Sequence, residues 1–218
     1  MYGCTLPNNK EEYPVRYERK DERSSLSGTD IAVLTSMPGL RQALGNNLYK
    51  VVLEISCGNQ ITYQILARLT AAIYIGFNTN THELESLQTF YERHQTDRNF
   101  PLSKFFKRNA LSLKGQGALF FDLICVHSLQ TFMTTRQESE LRIFLIKLLK
   151  RTRKLIVHVI VSEDMGCYET IRMPLACFFP LTLYQCTAVE CGRSMYVVKG
   201  EIFEYSGTTL ETKYLVFE

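Results

Sequence analysis

Val51–Thr62 reads VVLEISCGNQIT, with the outline of a strand running into a glycine turn and then a helix. In that arrangement backbone N–H groups can gather around a phosphate, and the chemistry sets strict demands on the residues of the turn and the first helical turn. Glycines must turn the chain tightly, a lysine must reach the outer phosphates, and a Ser or Thr must meet Mg²⁺. Gly58 and Thr62 satisfy part of this pattern. Gln60 stands where the second glycine is needed and Ile61 where the lysine is needed. An isoleucine cannot neutralise a phosphate, so the stretch reads as a phosphate loop that has lost its cation.

Working outward, strand and helix patterns alternate. Gln60–Leu69 is a short helical run, and Ala71–Phe77 (AAIYIGF) is an apolar run of buried-strand length. His82–His94 places Leu84, Leu87, Phe90 and Tyr91 on one side of a helix. Ala118–Val126 reads as a further buried strand, closed by the polar pair His127 and Ser128. Ser139–Leu149 carries Leu141, Phe144, Leu145, Leu148 and Leu149 at helical spacing, and Leu155–Val161 is another apolar strand. This alternation predicts βαβ units around a mostly parallel sheet. From Leu181 the pattern changes: Leu181–Glu190, Ser194–Lys199 and Lys213–Glu218 are β-rich, and we expect antiparallel strands extending one edge of the sheet.

The order of these motifs resembles the ATPase core of RecA-like strand-exchange recombinases, and more closely their eukaryotic paralogues. Thr35–Asn47 (TSMPGLRQALGNN) is similar to the lead-in before that family's phosphate loop, with Thr35, Leu40, Leu44 and Gly45 in matching places. Tyr74–Asn78 (YIGFN) is similar to the strand that ends in the family's water-activating glutamate. Asp122–Ser128 (DLICVHS) is similar to its Walker B strand. The resemblance covers about residues 31–218 and implies a RecA-like P-loop ATPase core over 29–218, with 1–28 as a flexible tail.

The same resemblance implies a dead nucleotide site. The lysine maps to Ile61, the Walker B aspartate to His127 and the catalytic glutamate to Asn78, so each component of hydrolysis is lost. Gly58, Gln60, Ile61, Thr62, Asn78, His127 and Ser128 would form this degenerate site, without catalytic residues or metal. The reading is a pseudo-ATPase, not an enzyme, with no cofactor in its own site and with ATP and Mg²⁺ held by a partner subunit. It implies a nuclear, non-catalytic recombinase paralogue that heterodimerises with a second paralogue and remodels or caps recombinase filaments on single-stranded DNA in homologous recombination repair. The alternative is a scaffold subunit of a RecA-like ring such as the Elongator tRNA-modification complex, which would place it in the cytoplasm.

Tyr13 and Tyr17 in the tail could anchor to a neighbouring protomer, and Arg172, Arg193 and Lys199 could reach a partner's nucleotide. Arg136 and Arg172 fall in the two segments corresponding to the family's DNA loops. Phosphate contacts there would be supplementary, since the net charge is only +3. Further cations gather at Lys104, Lys107 and Arg108, and again at Lys147, Lys150, Arg151, Arg153 and Lys154.

A chain of 218 residues that is 45% hydrophobic can bury one substantial core, and no apolar run is long enough to span a membrane. The N-terminal residues lack the apolar centre of a signal peptide. Seven cysteines without a CxxC pair suit a reducing compartment, with Cys57 and Cys125 acting as small hydrophobes. The four histidines do not sit at metal spacing with cysteine, so no zinc site is expected.

Overall fold

The structure, a computed structural model, describes residues 37–58, 60–69, 72–96, 100–108, 119–127, 138–161, 181–205 and 208–218. Among these the elements run α1 (Pro38–Leu44), β1 (Val51–Ile55), α2 (Gln60–Arg68), β2 (Ile73–Asn78), α3 (Thr81–His94) and β3 (Leu102–Lys107). They continue as β4 (Phe121–Val126), α4 (Glu138–Leu149), β5 (Thr152–Val161), α5 (Leu181–Glu190), β6 (Met195–Tyr205) and β7 (Thr208–Phe217). One seven-stranded sheet has the order β3-β2-β1-β4-β5-β7-β6. Its first five strands are parallel, and β7 lies antiparallel between β5 and β6.

Alternation along each strand sends side chains to two separate cores. Leu53, Ile55, Ile124, Val126, Leu155, Val157 and Leu215 face α4 and α5, packing on Leu141, Leu145, Leu148, Tyr184 and Ala188. Val52, Tyr74, Leu123, Cys125, Ile156, Tyr214 and Val216 face α1, α2 and α3, packing on Leu40, Ile61, Ile65, Leu87 and Phe90. The helices that follow β1 and β2 therefore cover one face, and the helix that follows β4 covers the other. The strand order reverses between β1 and β4, and in open α/β sheets the carboxyl ends at such a switch form the ligand crevice.

The structure corrects two expectations and adds a strand that the sequence reading did not assign. The turn after β1 is not a phosphate loop: only residues 56–59 separate β1 from α2, too few to wrap a phosphate in successive N–H groups. Two of its donors are already committed, Cys57 N–H to Phe77 O at 3.1 Å and Gly58 N–H to Thr62 Oγ1 at 2.8 Å. Leu181–Glu190 is a helix, not a strand; β6 runs parallel to β5, because β7 is antiparallel to both, so the chain must cross back between them, and this helix lies in that crossover. Leu102–Lys107, read only as part of a basic cluster, is edge strand β3, with Ser103 buried and Lys104 exposed in strand alternation.

Candidate functional site

At the C-terminal end of β1 the chain passes through Ser56 with φ 63° and Gly58 with φ 108°. Left-handed backbone is routine for glycine and costly for other residues, so Ser56 marks a tightly determined turn. Beneath it, Glu54 is fully buried yet well supplied with donors. Its Oε2 accepts from the Tyr74 hydroxyl at 2.6 Å, and its Oε1 accepts from the Thr62 hydroxyl. Thr62 in turn receives Gly58 N–H, so β1, its turn and α2 are tied through one carboxylate.

His127, just past β4, brings Nε2 to 2.9 Å from Glu54 Oε1. The approach is close enough for an ion pair when the imidazole is protonated, but it lacks the alignment of a hydrogen bond, and among the described residues Nδ1 also has no partner. His158 on β5 lies next to it, ring centroids 5.8 Å apart, and stacks in turn on Tyr214 of β7 at 5.1 Å. Burial, reinforced by the neighbouring His127, pulls the His158 pKa down to about 3, so this ring is neutral. Burial, with Glu54 adding to it, also pushes the Cys57 and Cys125 thiols up, so neither is a ready thiolate.

The far wall of the turn comes from β2 and α3. Asn78 donates from Nδ2 to Cys57 O and, at 2.6 Å, to Glu83 Oε2, while its Oδ1 accepts Asn80 N–H at 2.9 Å. Asn80 caps α3 through His82 N–H and Glu83 N–H. Glu83 leans over the turn, and a Cβ on Gly58 would come within 2.8 Å of Glu83 Cβ. Glycine is required at 58 by this close approach as well as by its dihedral.

Gly58, Ile61, Thr62, Asn78 and His127 thus gather around the end of β1, though not in the roles that a nucleoside triphosphatase would give them. Ile61 is fully buried in the core under α1–α3, and Thr62 is tied to Glu54. Gln60 begins α2. Arg193 lies away from the turn, donating to the carbonyls of Leu149, Thr152 and Arg153 where α4 passes into β5. Lys199 is an exposed β6 residue 3.6 Å from Glu211. Tyr13, Tyr17, Ser128, Arg136 and Arg172 lie outside the described residues.

Sequence reasoning passed over Glu54, Tyr74, Glu83 and His158. An acid inside an otherwise apolar strand was the available signal for Glu54. For Glu83 it was the Asn80-x-x-Glu83 spacing of a helix start. Among the described residues no cluster of His, Cys, Asp and Glu could hold a metal ion, and no helix is long and apolar enough to cross a membrane.

No family model matches the sequence, and no curated protein matches it. Solved structures do match in three dimensions. Magnesium protoporphyrin IX methyltransferase from Synechocystis with bound S-adenosylhomocysteine (SAH) superposes with a TM-score of 0.55 at 12% identity, over 86% of this chain and 82% of that one. The same enzyme with bound S-adenosylmethionine (SAM) gives 0.53 at 12%, over 86% and 76%. The N-methyltransferase NodS from Bradyrhizobium japonicum gives 0.54 at 13%, over 86% and 94%.

These likenesses show a methyltransferase-type α/β fold in place of the RecA-like P-loop core. The recombinase-paralogue reading and the Elongator alternative are overturned with it. The expectations of a pseudo-ATPase that is no enzyme and of no cofactor in its own site were deduced from the same core and fall for the same reason.

Proposed function

We propose that this chain is a SAM-dependent methyltransferase that binds its cofactor at the carboxyl ends of β1 and β2. The observation that carries this reading is the glycine turn at the switch point, with Asn78 at the end of the neighbouring strand, twenty positions beyond Gly58. In doubly wound sheets that strand end lies beside a nucleoside's ribose, a place commonly held by an acidic side chain, while the turn lets its backbone approach the ligand; here Asn78 occupies it and points its Nδ2 at Glu83.

The residues present fit such a group. Among the described residues Ser56 Oγ and His127 Nδ1 are buried polar atoms without hydrogen-bond partners, at the two strand ends that flank the switch. Each costs about 1–3 kcal/mol if it stays unpaired, and a polar ligand relieves that cost where an apolar one cannot. When bound, the cofactor supplies a methyl group on a positively charged sulfonium sulfur. Glu54 fixes the turn through Thr62 and places a buried carboxylate behind it, a favourable field for a cation. Asn78 holds Cys57 O and the start of α3 at fixed separation.

The test is calorimetric titration with SAM and SAH, followed by transfer of a labelled methyl group from the former. We expect saturable binding of both and label transfer to acceptor in a cell extract. Absence of binding at ~1 mM ligand, corresponding to an affinity poorer than about −4 kcal/mol, overturns the reading.

A further inference from the structure

We infer that Glu83, on the first turn of α3, supplies the carboxylate that recognises the ribose diol of the bound nucleoside, in place of the residue at the end of β2. This rests on the methyltransferase reading and deepens it. A vicinal diol offers two O–H donors, and a carboxylate with free lone pairs accepts both. Asn78 is poorly suited to that task, since its Oδ1 is engaged by Asn80 N–H and its Nδ2 by Cys57 O and Glu83 Oε2. It acts instead as a bracket that orients the Glu83 carboxylate.

Glu83 itself is released from the usual duty of an acid at this helix position. In a capping box the carboxylate three residues after the N-cap reaches back to the N-cap N–H, but the Asn80 N–H is already taken by Asn78 Oδ1. The carboxylate turns instead toward the glycine turn, with Oε2 3.4 Å from where a Gly58 Cβ would stand. Among the described residues its Oε1 makes no hydrogen bond, and the side chain is only half-buried. The negative charge missing from the strand end has thus moved five residues along the chain and returned to the same crevice by way of a helix start.

The experiment uses the full chain with SAH, adenosine and 2′-deoxyadenosine as probes. Glu83→Gln is expected to weaken SAH and adenosine at least about tenfold, the loss of a charge-assisted hydrogen bond. It should leave 2′-deoxyadenosine much less affected, so that the preference for the ribonucleoside collapses. Glu83→Asp, which keeps a carboxylate on the same helix turn, should retain part of that preference. If wild type binds SAH and Glu83→Gln binds it equally well or more tightly, the carboxylate merely covers the turn and this inference falls alone. If wild type binds neither SAH nor adenosine, the methyltransferase reading and this inference fall together.

Discussion

His158 is buried between the rings of His127 and Tyr214, and its neutrality has a consequence for stability. Its folded pKa, about 3, lies below the unfolded value near 6.5, so in that window the unfolded chain binds the proton and the folded chain does not. Its contribution is fully present above about pH 6.5 and is lost as the pH falls toward 3. Urea denaturation of wild type and His158→Leu at pH 7 and pH 5 measures this directly. Wild type should lose about 1.4 kcal/mol more per pH unit than the variant once below the unfolded pKa. Parallel losses in the two proteins would show that another group carries the acid sensitivity. A single titratable side chain thus sets a pH limit on the buried polar cluster of Glu54, His127 and His158.

At the scale of elements, α1 shows how a short helix is held by approach rather than by length. Its seven residues end at Gly45 (φ 71°), and Leu40, Ala43 and Leu44 bury against the sheet. Gly39 meets β6 so closely that a Cβ there would overlap Lys199 O and stand 2.8 Å from Gly200 Cα. The obstacle is backbone, which cannot swing aside as a side chain tip can. Gly39→Ala should therefore cost about 1–3 kcal/mol, the usual range for overpacking, read as a lowered urea midpoint with unchanged slope. The stretch Thr35–Asn47, which resembled the recombinase family's lead-in, is over its described part this docking helix. α5 gives the complementary lesson. Its β-branched and aromatic residues suggested a strand, but Tyr184, Thr187 and Ala188 form one buried helical stripe. The Thr187 hydroxyl is absorbed by Leu183 O at 2.7 Å. Tertiary burial outweighs a propensity difference of a few tenths of a kcal/mol per residue.

For the whole molecule, the sheet has two edges of different character. β3 guards its edge with Lys104 and Lys107, while β6, interrupted between Lys199 and Ile202, exposes Tyr196, Val197 and Ile202. An apolar open edge invites pairing between chains, and an edge lysine blocks it. Ile202 is 60% exposed. Ile202→Lys should accordingly reduce concentration-dependent light scattering while shifting stability by no more than about 0.5 kcal/mol. Unchanged scattering would locate self-association elsewhere.

Local pattern determined the layered α/β character, the apolar faces of α3 and α4, the glycine turn after β1, and the antiparallel pair at the end of the chain. These depend on periods of 2 and 3.6 residues and on glycine's backbone freedom, all of which are written in neighbouring residues. The tertiary structure alone decided the strand order and, with it, the nature of the site. A strand, a glycine turn and a helix open both a phosphate loop and a nucleoside crevice, so Val51–Thr62 could be read either way. Turn length and the fate of its N–H groups separate the two, and Phe77 O and Thr62 Oγ1 are revealed as their acceptors only when β2 and α2 are in place. Glu54, Tyr74, His127 and His158 lie up to 104 positions apart in sequence, from 54 to 158. Adjacent strands bring them onto one face, a convergence that no local window can display.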